Sequence, residues 1–383
     1  MRFTHREHPG RCVRLAYCLN VHAAETFDEL LEGLRSITLP LRDRIARPGE
    51  LFGVGMYLPA ALAAELMRSA DRRKNLEQLF GREGLDPFTY NAFPYGGFHA
   101  ARVKQRVYAP AWGTRERLRY TLDVGELARD FCPGRQISIS THAGGWGTDF
   151  AAHGSTERAI DGLAAAARGV GANVRLGIEA EPRSNANVTS EAAQIAKQAG
   201  VGLCLDTCHS AVEFEEPAAA LELALSAGPL AKLQYTNALA LQAPGRNPAG
   251  WSALLALDEP RYLHQVTART AEGLRRWDDL DALRSVNPAP LEEVRCHFHV
   301  PVDREELGAG LRTTRAHADA LLDGLLAAPV RWKAPELHVE IETYTWDVLP
   351  GSARGPGSLV EGLEREYRHV IGRLEARGWA RAG

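Results

Sequence analysis

A chain of 383 residues, 45% hydrophobic and 24% charged, has the composition of a folded globular protein, and its length suits an α/β barrel with insertions as one unit. Its 45 Lys and Arg against 48 Asp and Glu leave a net charge of −3, which offers nucleic acid no overall electrostatic footprint, and no apolar run approaches the roughly 18 residues a spanning helix needs. The charged start MRFTHREHPGRCVR carries no apolar signal-peptide core, so a cytoplasmic location is expected, and six scattered cysteines without a C-x-x-C pair read as reduced, mostly buried thiols.

In chain order the apolar, strand-like runs are VRLAYCLN within 12–21, LFGVGMYL at 51–58, LDPFTYNAF at 85–93, QISISTH at 136–142, VRLGIEAE at 174–181, VGLCLD at 201–206, LAKLQYTNAL at 230–239, VRCHFHVPV at 294–302 and LHVEIETYTW at 337–346. Amphipathic stretches such as ETFDELLEGLRSI, STERAIDGLAAAARGV and TSEAAQIAKQAG lie between them. The alternation predicts βαβ units with a parallel sheet, and nine runs compete for a barrel of eight. Between 244 and 288 two β-like runs flank a Glu-Gly turn signal, which predicts an inserted hairpin at about 261–282, after strand seven. The tail predicts a closing helix at about 358–380, so that residues 1–383 form one (β/α)8 TIM-barrel domain.

Side chains alternate faces along a strand, and a parallel strand covered on both faces should be almost wholly apolar. Here Glu179, Glu181, Asp206, His297, His299, Glu340 and Glu342 gather near the C-terminal ends of such runs, where barrel enzymes place their active sites. Several ionised acids buried together need a compensating charge, and mixed Glu/Asp/His donors suit a divalent transition metal. The bland alternative pairs these acids with Arg175, Arg183 or Arg295 in salt bridges. His209, three residues past Asp206, belongs in the loop over the barrel mouth. Asn20, His22, Tyr90, Asn91, His99, His142, Gln234 and Trp346 follow or end other strands and are candidate substrate contacts, as are Glu181 and His297.

LCLDTCHS at 203–210 resembles the strand-six motif of the xylose-isomerase-like TIM-barrel superfamily, LGIEAEP its strand-five Glu motif and VEIETYTW its last-strand motif. That resemblance implies a (β/α)8 barrel binding a divalent cation (Mn²⁺, Co²⁺, Zn²⁺, Fe²⁺ or Mg²⁺) through Glu179, Asp206, His209 and Glu342, and the CHFHV run adds His299 as a further candidate ligand. It further implies Glu179, Glu342 and His209 as catalytic groups for isomerising or epimerising a small polyhydroxylated carbonyl compound through an enediolate. The phrases ALDEPRYLHQV, CHFHVPV, NAFPYGGFH and IETYTWDVLP resemble, more narrowly, the EboE-type proteins associated with metabolite traffic. The chain departs from the isomerases at strand seven, where Gln234 stands in place of a metal-binding His. Either Gln234 or His299 completes the site.

The D-T-C-H string also resembles endonuclease IV, which keeps open a multinuclear hydrolase drawing on His22, His99 and His142. A third reading is a non-catalytic metabolite-binding barrel. The partner expected is a small-molecule substrate, with neither nucleic acid nor a membrane span, and a homodimer is left open.

Overall fold

The computed structural model describes residues 1–97, 104–147, 150, 155–351, 355 and 357–382. The chain opens with β1 (Arg2–His5) and β2 (Cys12–Cys18). It continues through β3 (Phe52–Tyr57), β4 (Leu85–Asn91), β5 (Ile137–His142), β6 (Val174–Glu179), β7 (Gly202–Asp206) and β8 (Leu230–Tyr235). Six strands follow outside the barrel: β9 (Asn237–Gln242), β10 (Val266–Thr270), β11 (Gly273–Trp277), β12 (Glu293–Val300), β13 (Glu306–Gly308) and β14 (Leu311–Thr313). β15 (Glu336–Ile341) and β16 (Trp379–Arg381) end the series.

Strands β2 to β8 and β15 run parallel, each bonded to the next, and β15 returns to pair with β2, which closes an eight-stranded barrel. Helices between the strands form its outer layer, so the barrel strands lose water on both faces and are almost wholly buried. Two helix ends show why the chain turns where it does. Gly84 and Gly200 follow the helices Ala70–Glu83 and Thr189–Ala199 with φ of 63° and 67°, a left-handed conformation that glycine adopts without a Cβ clash. The expected closing helix is Leu359–Ala376, started by a reciprocal Ser358–Glu361 capping box. Antiparallel β1 and β16, which periodicity did not suggest, cover the N-terminal end of the barrel and bury Phe3 and Trp379.

The insertion is larger than the expected hairpin. Its two β-like runs do pair, as β10 and β11, but within a six-stranded antiparallel sheet ordered β11-β10-β12-β9-β14-β13. The run LAKLQYTNAL is two strands, not one. At Thr236 the chain leaves the barrel, and the Thr207 hydroxyl takes over the backbone there, accepting from Thr236 N (2.9 Å) and donating to Thr236 O (2.5 Å). VRCHFHV lies in this second sheet as β12, which settles the contest of nine runs for eight places. One face of the sheet packs Leu239, Leu241, Val266, Val294, Cys296, Phe298 and Val300 into its own apolar cluster. Residues 297 and 299 alternate onto the other face. Among the described residues no helix is long and apolar enough to cross a membrane, and all six cysteines are buried and unbridged.

Candidate functional site

Strand β7 ends in Asp206 because an acid there starts the next helix. Its Oδ1 accepts the backbone N–H groups of Cys208 (2.7 Å) and His209 (2.9 Å), capping the short helix Thr207–Val212. The cap fixes His209 one turn above the strand end. The second oxygen, Oδ2, is buried and has no hydrogen-bond partner among the described residues.

Five carboxylates surround this point: Glu179, Glu181, Asp206, Glu340 and Glu342, all buried. Among the described residues the lysine paired with them is Lys232 on β8, whose Nζ lies 2.5 Å from Glu340 Oε2 with both side chains fully buried. The arginines that could have neutralised the rest are engaged elsewhere. Arg175 donates to the carbonyls of Leu230 and Glu336, Arg183 pairs with Glu213 and Arg295 with Glu293. Burial therefore pushes Glu179 and Asp206 up to about 7. It also holds Glu181 and Glu342 well above the usual carboxylate range, the Glu179 charge adding to the first and the Glu340 charge to the second.

Three imidazoles face one another beside these acids. His209 Nε2 lies 3.0 Å from His297 Nε2, His297 Nε2 lies 3.0 Å from His299 Nε2, and the third edge is 3.3 Å. Each opposite ring nitrogen has an oxygen partner: His209 Nδ1 on Ala180 O (2.9 Å), His297 Nδ1 on Gln265 Oε1 (2.6 Å) and His299 Nδ1 on Glu342 O (3.0 Å). Burial depresses His209 to about 4 and the other two well below the ordinary imidazole value. His297 and His299 reach the cluster because β12 loses regular register with β9 between Cys296 and Val300, an irregularity of the kind that re-aims side chains beside functional sites. Glu181 Oε2 is 3.8 Å from His209 Nε2 and accepts the Tyr108 hydroxyl (3.0 Å).

The donor chemistry fits a divalent cation. Ligand atoms of Asp206, His209 and His299 lie within 4.8 Å of one another, as do those of Glu181, His209 and His297, and of Cys208, His297 and His299. An orphaned carboxylate oxygen and a surplus of buried acid over buried base point the same way.

One pocket brings most of the expected residues together. Asn91, Glu179, Glu181, His209, Gln234, His297, His299 and Glu342 line it, with Phe93, Tyr108, Tyr262 and Tyr344 as aromatic walls. Asn20 lies beside it, donating from Nδ2 to Glu342 Oε1 (2.7 Å). Gln234 has both ends of its amide occupied: Oε1 accepts from the Cys204 thiol (2.8 Å) and Nε2 donates to Asn91 Oδ1 (3.1 Å). His299 arrives at the same pocket from the inserted sheet.

Four expected substrate contacts lie elsewhere. Tyr90 alternates with Asn91 and so points away from the barrel interior into the apolar layer under the helices. His22 bonds the Tyr17 hydroxyl (3.0 Å). His142 is buried behind Phe93 and Tyr108, where its Nδ1 accepts from Gly144 N (3.3 Å). Trp346 packs on Gly362 of the closing helix, where a Cβ would meet its ring at 2.3 Å. His99 lies outside the described residues. Sequence reasoning missed Lys232, Tyr108 and Gln265. Lys232 was open to the two-residue alternation, since it shares a face with Gln234, whereas Tyr108 sits in a 3-10 turn (Lys104–Tyr108) with no periodic signal.

The chain matches no protein-family model and no curated protein. Solved structures share its fold. A xylose isomerase-like TIM barrel protein from Mycobacterium smegmatis in complex with magnesium is 12% identical, with 95% of this chain and 97% of that one covered at a TM-score of 0.53. The IOLI protein with a bound zinc atom is 11% identical, with 95% and 99% covered at 0.50. The chain spans 45% of the length of a xylose isomerase-like TIM barrel/4-hydroxyphenylpyruvate dioxygenase fusion protein, at 14% identity and a TM-score of 0.45.

Proposed function

We propose that this chain, a barrel of the xylose isomerase-like fold, is a divalent-metal-dependent isomerase or epimerase of a small polyhydroxylated carbonyl compound such as a sugar, a cyclitol or a derivative. The observation that carries the reading is one pocket in which Glu179 and Glu342, buried acids with no arginine partner among the described residues, flank a cluster of metal-competent donors. The likeness to the magnesium- and zinc-bound barrels supports a metal of this charge, and the resemblance of several sequence phrases to EboE-type proteins supports a place in a metabolite biosynthesis or traffic pathway.

The cation would be held among Glu181, Asp206, His209, His297 and His299, whose donor atoms lie close together. When bound, it would supply Lewis-acid polarisation of a carbonyl oxygen. The protein's own groups do the rest. Glu179 and Glu342 sit at strand ends three places apart around the barrel, so one can take a proton from carbon while the other returns it. Asn20 orients Glu342 through Oε1. The amides of Gln234 and Asn91 bond each other and the groups beneath them, which fixes the polar floor of the pocket, and Phe93, Tyr108, Tyr262 and Tyr344 form its aromatic walls.

The test is C–H exchange. The metal-loaded protein, incubated with a panel of ketoses and cyclitol ketones in deuterated buffer, is expected to place deuterium next to the carbonyl, and Glu179→Gln and Glu342→Gln to abolish it. Hydrolysis of phosphodiesters in place of exchange would favour the multinuclear alternative. Against that alternative stands the placement of His22 and His142, neither of which lines the pocket. Full function in vivo of both Gln variants would leave a metabolite-binding barrel without catalysis.

A further inference from the structure

The three facing imidazoles define the site more sharply than the barrel carboxylates do. We propose that His209, His297 and His299 form a three-imidazole site for a borderline first-row ion of the Zn²⁺ class, two of its ligands supplied by the inserted sheet, leaving Glu179 and Glu342 uncoordinated. The proposal deepens the reading above at the same pocket, but it concerns only which atoms hold the ion.

The position of each imidazole proton is set by what faces the ring. The groups facing the three Nδ1 atoms are Ala180 O, Gln265 Oε1 and Glu342 O. Two are backbone carbonyls, which can only accept. The third is an amide oxygen, fixed as such because Gln265 Nε2 donates to Pro182 O (2.9 Å) and to the Tyr108 hydroxyl (3.3 Å). Each ring therefore carries its proton on Nδ1 and presents a bare lone pair at Nε2. Three lone pairs 3.0–3.3 Å apart have no proton to share, and such a contact is repulsive until a Lewis acid stands between them. A metal-bound histidine shows this same arrangement, its far nitrogen donating to a carbonyl or amide oxygen.

The spacing agrees. Zinc–nitrogen bonds of roughly 2.0–2.1 Å at tetrahedral angles put ligand nitrogens about 3.3–3.4 Å apart, and a right-angled face brings them to about 3.0 Å. Imidazole donors select zinc-like ions over magnesium, which prefers oxygen. Three protein ligands leave a position for substrate, and all three histidines line the pocket. With the ion on the three imidazoles, Glu179 and Glu342, which line the same pocket, remain available for proton transfer.

The experiment reads the metal rather than turnover. Purified protein stripped with chelator and titrated with Zn²⁺ is expected to bind one equivalent, with Mg²⁺ unable to compete at a thousandfold excess. X-ray absorption at the zinc edge is expected to show three imidazoles. His297→Ala should weaken Zn²⁺ binding more than ~100-fold, since loss of a group that merely orients a ligand costs ~10–100-fold, while Glu179→Gln keeps the full equivalent. Zinc-edge data on the unaltered protein stand even if His297→Ala fails to fold. An oxygen-rich shell with one imidazole, or metal lost in Glu179→Gln and retained in His297→Ala, would overturn the proposal and place the ion on the barrel acids. A sulfur in the shell would overturn it in favour of Cys208. Deuterium exchange is a separate readout, so either reading can fail without the other.

Discussion

His209 and His297 meet at 3.0 Å between Nε2 atoms although they belong to different layers, one to the helix that follows β7 and the other to β12 of the inserted sheet. The pocket chemistry therefore exists only while the sheet is held over the barrel mouth. Everything that docks or orients the sheet is functionally exposed.

Gln265 is the most direct case. Its Oε1 holds His297 Nδ1 at 2.6 Å while its Nε2 is tied to Pro182 O. Gln265→Leu keeps the volume and removes the acceptor. Zn²⁺ affinity, read by chelator competition, is expected to fall ~10–100-fold, with the circular dichroism spectrum unchanged. Unaltered affinity would show that His297 needs no such support.

Arg183 and Glu213 make the dock. The Arg183 backbone has a φ of 67°, uncommon for a residue with a Cβ, and its guanidinium reaches Glu213 Oε1 (2.7 Å), Val266 O (2.9 Å), Thr267 Oγ1 (2.6 Å) and Trp277 O (3.3 Å). Glu213 is fully buried and also accepts from Asn187 and Arg276. Glu213→Ala strands a buried guanidinium, so unfolding free energy should drop by about 3–5 kcal/mol, measured in urea. Zn²⁺ affinity should drop with it, because β10, which Arg183 holds, is hydrogen-bonded to β12. A stability loss with metal affinity intact would make the dock structural only.

Lys232 and Glu340 form the floor beneath the site. Asn91 joins them, accepting from Lys232 Nζ (2.7 Å) and donating to Glu340 Oε1 (3.1 Å). Gly55 makes the room, since a Cβ there would stand 1.8 Å from Glu340 Oε1. Lys232→Met leaves a buried carboxylate without its cation and is expected to cost about 3–5 kcal/mol, whereas Lys232→Met with Glu340→Gln should recover much of that loss in a double-mutant cycle. Additive losses would mean the two do not form a pair.

The barrel was legible because its strands and helices carry their own periodicities and their polar residues stand out against apolar runs. Asp206, Glu179 and Glu342 stood out for the same reason, as strand ends, whereas His209, expected in a loop, lies in the short helix that Asp206 caps. The insertion was not. β9 continues β8 with a single residue between them, so LAKLQYTNAL shows no break, and what ends the barrel strand is a hydroxyl on Thr207, far away in sequence. Tyr90 and Trp346 were misplaced because a strand-end aromatic reads alike whether it faces the pocket or the helices. His297 and His299 were visible as a pair on one face, but that both join His209 depends on the irregular register of β12, which a single sequence does not display.

Glu366 yields a prediction with a defined sign. It lies on the closing helix, fully buried, accepting from Thr343 Oγ1 (2.6 Å) and Val302 N (3.0 Å), and burial raises it to about 8 from an ordinary 4.5. Below 4.5 both the folded and the unfolded chain hold the proton, and the group leaves stability independent of pH. Between 4.5 and 8 the unfolded chain releases a proton that the folded chain keeps, so stability falls as pH rises, by about 1.4 kcal/mol per unit at most. Above 8 both states are ionised and the penalty is constant. Glu366→Gln retains an acceptor and removes the titration. Urea unfolding at pH 5, 6.5 and 8 is therefore expected to show the variant close to the unaltered protein at pH 5 and more stable by a few kcal/mol at pH 8. A difference that stays flat across that range would mean that Glu366 keeps an ordinary carboxylate pKa in the folded chain.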